Sequence, residues 1–148
     1  MAVVSDVRAV AMSMIAPTQV DWRQETGRLH IRYEHTDGRH IHTERVQARA
    51  VLDLDDRGQV LDVDIKGLPR PVVQRLAPFA GSRVTENSGP GVSLDADAAW
   101  LWLHLRRGPR AEQLRGDAQV DLTFLEGALA EIALTLLPTQ GHAAEMSS

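Results

Sequence analysis

Cysteine is absent from the 148 residues, so neither disulfides nor thiolate metal sites contribute to this molecule. Lysine is almost absent too: Lys66 stands alone, and arginine carries nearly all the basic charge. No apolar run approaches the roughly 20 residues that a membrane helix needs. The opening segment from Val3 to Pro17 is interrupted by Asp6 and Arg8 and has no basic region ahead of it, which argues against a secretory signal. A basic excess is missing as well, since the net charge is -4, and this argues against a general nucleic-acid or polyphosphate binder. The chain has no nucleophile elbow, no phosphate-cradling glycine loop and no glycine-rich dinucleotide fingerprint. What is present is apolar material, 43% of the residues, enough for one compact domain or two intimate halves. The bias to Arg, Ala, Asp, Leu and Val fits a GC-rich bacterial genome, and a cytoplasmic location without membrane contact is expected.

The chain repeats itself. Val51 to Pro69 lies over Val120 to Pro138 without a gap, so that Gly58 meets Gly127, Val60 meets Leu129, Val63 meets Ile132, Ile65 meets Leu134 and Pro69 meets Pro138. Upstream the spacing is three residues longer, and there Val20 meets Val92, Trp22 meets Leu94, Leu29 meets Leu101, Ile31 meets Leu103 and Tyr33 meets Leu105. A period near seventy is that of a duplicated small domain rather than a solenoid.

Each copy reads as strands. Leu29, Ile31 and Tyr33 alternate with His30, Arg32 and Glu34, and Ile41, Thr43 and Arg45 alternate with His40, His42 and Glu44, the period of half-buried strands. Asp37-Gly38 between them predicts a hairpin that pairs Tyr33 with Ile41 and Arg32 with His42. A second hairpin turns at Asp55-Asp56-Arg57-Gly58, with Leu52, Leu54, Leu61, Val63 and Ile65 toward the core and Asp62 and Asp64 toward water. Ser5-Asp6 can cap a short helix that Pro17 stops, and Val72, Val73, Leu76 and Phe79 predict another from about Arg70 to Phe79. Trp100, Leu101, Trp102, Leu103 and Leu105 put bulk on both faces of one strand, which then needs cover on both. The good helix formers from Ala128 to Leu134 compete with the strand reading, and the match to Gln59 to Leu68 decides for a strand.

Leu94-Asp95-Ala96-Asp97 before Leu101-Trp102-Leu103, and Trp22-Arg23-Gln24-Glu25 before Leu29-His30-Ile31, share one pattern; Asp53-Leu54-Asp55-Asp56-Arg57-Gly58 before Val63-Asp64-Ile65 is a second. Together these motifs resemble the small bacterial domain of unknown function numbered 2283, in two tandem copies. That family pairs an aromatic residue with aspartate ahead of Leu-Tyr-Ile, then has Asp-x-Asp-x-x-Gly and an Ile-Glu-Ile strand. Here Arg23 stands where the family has aspartate, and the second copy lacks both aspartates before Gly127. The resemblance implies a fold and carries no activity.

Three constellations bear chemistry. Asp53, Asp55 and Asp64 imitate the spacing of a calcium loop, but Arg57 occupies a ligand position and strands flank it, so a plain acidic turn is expected. On the predicted first hairpin His40 and His42 leave the same face about 7 Å apart, a span that zinc or nickel bridges. His30 and Glu34 complete that metal-candidate set, and the alternative is a solvated face with cross-strand charge pairs. Ser93, His104 and Asp95 supply the residue types of a triad, which only geometry can establish. Trp100 and Trp102 near Arg106, Arg107 and Arg110 could stack on single-stranded bases, a reading the negative net charge opposes.

The sequence therefore predicts an α+β protein, predominantly antiparallel β, of two four-stranded ββββ units related by a pseudo-twofold, with a short N-terminal helix and a short helix between the copies. The boundaries are an N-terminal helix over 1–17, a first repeat with its trailing helix over 18–80, a linker over 81–91, a second repeat over 92–138 and a disordered tail over 139–148. The expected function is that of a non-enzymatic binding or structural module acting through a protein partner or a homodimer, without catalytic residues or a cofactor. The competing reading is a metal- or histidine-based site on the first hairpin.

Overall fold

The structure, a computed structural model, describes residues 17–33, 41–77, 91–125 and 128–137. The expected N-terminal helix, nearly all of the expected linker and the expected tail lie outside these residues. Among these residues eight strands and one helix follow in order: β1 (Gln19–Arg23), β2 (Arg28–Arg32), β3 (Ile41–Leu54), β4 (Val60–Lys66), α1 (Arg70–Leu76), β5 (Gly91–Asp95), β6 (Trp100–His104), β7 (Glu112–Leu125) and β8 (Ala128–Leu136). The strands form one antiparallel sheet in the order β1-β2-β8-β7-β3-β4-β6-β5, curled into a half-barrel. Strands from the two halves of the chain therefore interleave: β2 pairs with β8, β3 with β7 and β4 with β6.

Alternation decides which side chains enter the core. Val46, Ala48, Ala50, Leu52 and Leu54 along β3 are buried, as are Ala118, Val120, Leu122 and Phe124 along β7. Leu29 and Ile31 of β2, Val63 and Ile65 of β4, Leu101 and Leu103 of β6, and Ile132 and Leu134 of β8 complete one continuous inner face. Each fully buried aliphatic side chain of this kind contributes roughly 1.5–3 kcal/mol. The strand reading of Ala128–Leu136 holds because burying Leu129, Ile132 and Leu134 against β2 and β7 outweighs a helix propensity of only tenths of a kcal/mol per residue.

The second hairpin forms as the sequence implies. Gly58 takes a left-handed φ of 80°, its N–H reaches the Asp55 carbonyl at 3.1 Å, and the Asp55 carboxylate accepts from the N–H groups of Arg57 and Gln59, both at 2.9 Å. β3 and β4 pair with a bulge at Asp53/Leu54, and β7 and β8 pair with a bulge at Thr123/Phe124. α1 starts after Pro69 with Pro71 in its first turn, and it lays Val72, Val73 and Leu76 onto the core.

The first hairpin does not form. β2 and β3 are not neighbours: Arg32 pairs with Gln19 and Glu131, while His42 pairs with Phe124. The segment from Ile41 belongs to a single 14-residue strand whose buried even-numbered positions from Val46 to Leu54 set its parity. His42 and Glu44 thereby fall on the inner side and Ile41 on the outer, where it is 51% exposed.

Candidate functional site

The predicted metal-candidate residues are dispersed. His30 sits on the outer face of β2, where Nε2 contacts the Glu131 carboxylate at 2.7 Å and Arg32 Nε lies 3.6 Å from the same oxygen. His42 is on the opposite face of the sheet and three strands farther on, with Nε2 3.1 Å from Glu44 and its ring 6.5 Å from that of Phe124. Arg75 of α1 reaches Glu44 at 3.2 Å. The His42 hydrogen bond, and then the Arg75 charge, hold the Glu44 carboxyl below its ordinary value. Glu34 and His40 lie outside the described residues. Among the described residues no three His, Asp or Glu side chains converge as a metal ligand set.

A different polar cluster assembles on the outer face where β5, β6, β4 and β3 adjoin. β4 lies against β6 with Asp62 opposite His104 and Asp64 opposite Trp102, so the two aspartates expected in water are half-buried. Asp62 takes a short hydrogen bond from His104 Nδ1, and Asp64 accepts from Trp100 Nε1 at 2.8 Å. Lys66 Nζ stands 4.9 Å from the Trp100 ring centre, and the Trp102 and His104 rings are 5.6 Å apart. Burial pushes the Asp64 carboxyl above the usual range despite the Trp100 N–H, and the neighbouring Asp53 charge adds to the rise. Asp53 accepts from Gln113 Nε2 at 2.8 Å. The bulk of β6 divides between the faces: Leu101 and Leu103 enter the core, and Trp100 and Trp102 lie partly buried among these outer-face side chains.

This cluster has one feature of acid–base machinery, a histidine oriented by a carboxylate. It lacks the rest. His104 Nε2 is buried without a hydrogen-bond partner, so Ser93, buried on the same face of β5, does not hand it a proton. Asp95 is opposite Trp100 and caps the following turn at Ala98 N–H. The calcium-like aspartates are equally engaged, Asp55 with its own turn and Asp64 with Trp100. Sequence reasoning missed the Asp62–His104 pair because it depends on the long-range pairing of β4 with β6. No local signal announces that pairing; the alternation of Asp62 and Asp64 with core residues shows only that they share the outer face.

The most accessible structural feature is an edge. β1 and β5 end the sheet, but Gly91, Val92 and Ser93 of β5 are buried whereas Gln19, Val20, Asp21 and Arg23 of β1 are exposed, Val20 at 41%. The hydrogen-bond parity of β1 follows from its neighbour. Tyr33 N–H donates to the Ala130 carbonyl and Leu136 N–H to the Gly27 carbonyl, so odd-numbered peptides of β2 turn to β8 and even-numbered ones to β1. Gln19, Asp21 and Arg23 are opposite those even positions, which leaves the N–H and C=O groups of Val20 and Trp22 pointing out of the sheet. Their side chains share the inner face with Leu29 and Ile31, beside a cleft of about 490 Å³ lined also by Gln59, Val60, Leu105 and Arg106. Trp22 Nε1 is buried there without a hydrogen-bond partner.

No helix among the described residues is long and apolar enough to cross a membrane. In comparisons with known proteins the chain matches no family model, no curated protein and no solved structure.

Proposed function

We propose that the protein is a non-enzymatic interaction module, built from two ββββ units related by a pseudo-twofold, that binds a protein partner or a second copy of itself. The carrying observation is the β1 edge: exposed over four of its five residues, and with two outward peptide units that no strand among the described residues pairs with. The duplication is supported by the strand order, which returns unchanged from the other end when β1 to β4 exchange with β5 to β8. The bulge at Asp53/Leu54 and the bulge at Thr123/Phe124 fall at matching places in that exchange. The resemblance to the domain of unknown function numbered 2283 rests on turn and strand motifs and lends no activity. The metal-based reading has weaker support, since His30 and His42 stand on opposite faces.

A photo-crosslinking residue placed at Val20 in the full chain, expressed in its own host, tests the proposal. A discrete adduct, with this chain or with another protein, is expected at position 20 and not at Thr43. Adducts no more frequent at Val20 than at Thr43 would overturn the module reading.

A further inference from the structure

Resting on that module reading, we infer that the occupant of the β1 edge is a second copy of this chain, joined antiparallel about Trp22 so that the two sheets become one. The outward peptides of Val20 and Trp22 limit the registers, because an antiparallel ladder must bring even-numbered positions of the two edges together. Charge then separates them. Asp21 and Arg23 are exposed side by side on the outer face, their charged atoms 3.9 Å apart. A register centred on Asp21 would set that residue opposite the partner's Asp21, two like charges facing each other. A register centred on Val20 would set it opposite the partner's Gln19 and create no ion pair. Only the register centred on Trp22 sets Asp21 opposite the partner's Arg23 and Arg23 opposite the partner's Asp21, which a twofold axis makes reciprocal.

The inner face agrees. In a continuous sheet, opposed residues point to the same side, so Trp22 meets the partner's Trp22 beside the cleft of about 490 Å³. The exposed Val20 lies on the same side, opposite the partner's Gln24 and diagonal to the partner's Trp22. Among the described residues the other end of the sheet offers no matching edge, because Gly91, Val92 and Ser93 of β5 are already buried. Assembly therefore stops at two copies instead of running on as a filament.

Light scattering and sedimentation of the full chain at tens of micromolar test this register. Wild-type protein is expected to be a dimer. Val20→Pro removes an outward N–H and leaves the β1–β2 ladder intact, and it is expected to give a folded monomer. Asp21→Arg alone or Arg23→Asp alone sets two like-charge pairs across the axis and weakens the dimer roughly tenfold or more in Kd. An equimolar mixture of these two variants restores both ion pairs and is expected to form a heterodimer of wild-type strength. A monomeric wild type, or a dimer indifferent to Val20→Pro and to both reversals, would overturn the self-pairing. In either case a Val20 crosslink to another protein would keep the module reading intact, whereas its absence would remove both.

Discussion

Ala48 lies directly opposite Ala118 near the middle of the pairing between β3 and β7, and the register runs out evenly from this pair, Val46 meeting Val120 on one side and Ala50 meeting Gly116 on the other. Small residues occupy the centre of the longest ladder in the sheet, and Ala118 is completely buried. Ala118→Leu forces extra carbons into a packed interior and should cost about 1–3 kcal/mol. Ala48→Leu, at a position that keeps slight exposure, should cost less. Urea midpoints at constant slope measure both, and an unchanged midpoint for Ala118→Leu would show that the core is not packed as described.

Two turn glycines separate backbone strain from crowding. Gly27 has φ 67° and Gly58 has φ 80°, a region in which an L side chain is strained by about 1–2 kcal/mol. A methyl on Gly27 would also stand 3.3 Å from the Leu136 carbonyl oxygen, whereas one on Gly58 would meet nothing within 4 Å. Gly27→Ala should therefore destabilise more than Gly58→Ala. Equal losses in thermal unfolding would remove the crowding contribution.

α1 is too short to be stable on its own, so it must be held by what it buries. Leu76 is fully buried and Gln74, in the same turn, is exposed. Leu76→Ala should cost about 2–5 kcal/mol, and Gln74→Ala should stay within about 0.5 kcal/mol of wild type. Guanidinium denaturation of the two variants decides the matter, and a near-neutral Leu76→Ala would mean that the helix is not docked.

The faces of most strands were readable from alternation, as were the turn at Asp55 to Gly58 and the α1 segment, because these depend on neighbours in sequence. Partner choice was not. The hairpin expected at Asp37-Gly38 fails because alternation gives a strand two faces and no identity for its neighbours; Leu29 and Ile31 are buried instead against Leu134 and Ile132, about a hundred residues away. The parity of His42 was within reach. Counting back in twos from Leu54 through Leu52, Ala50, Ala48 and Val46 arrives at Glu44 and His42 on the core side, provided the strand is taken as continuous. The repeat offset also needed the structure. Matching bulges place Leu52 with Leu122 and Leu54 with Phe124, one residue away from the ungapped alignment of Val51 with Val120.

The Asp62–His104 contact joins two side chains only 23% and 12% exposed, shielded more than the Arg45–Asp121 pair, where the arginine is 68% exposed. Removing either partner strands a half-buried polar group, so His104→Ala and Asp62→Ala should each cost about 1–3 kcal/mol. Because they disrupt one interaction, the double variant should lose less than the sum, with a coupling of about 0.5–3 kcal/mol. The corresponding cycle at Arg45 and Asp121 should give a smaller coupling. Additive losses at Asp62 and His104 would mean that the contact contributes nothing.

Asp64 should make stability fall as pH rises. Burial first, and the Asp53 charge after it, lift its carboxyl above the value of about 3.9 expected in the unfolded chain. The native state then holds a proton more tightly than the unfolded state does. That contribution is present in full below about pH 3.9 and is lost as pH climbs through the higher folded-state value. Asp64→Asn keeps the shape and an oxygen for Trp100 Nε1 while removing the ionisation. The variant should match wild type near pH 3.5 and be the more stable of the two at pH 7. Urea titrations at both pH values read the difference directly; a gap independent of pH, or one that closes toward neutrality, would show that the buried Asp64 carboxylate carries no ionisation cost.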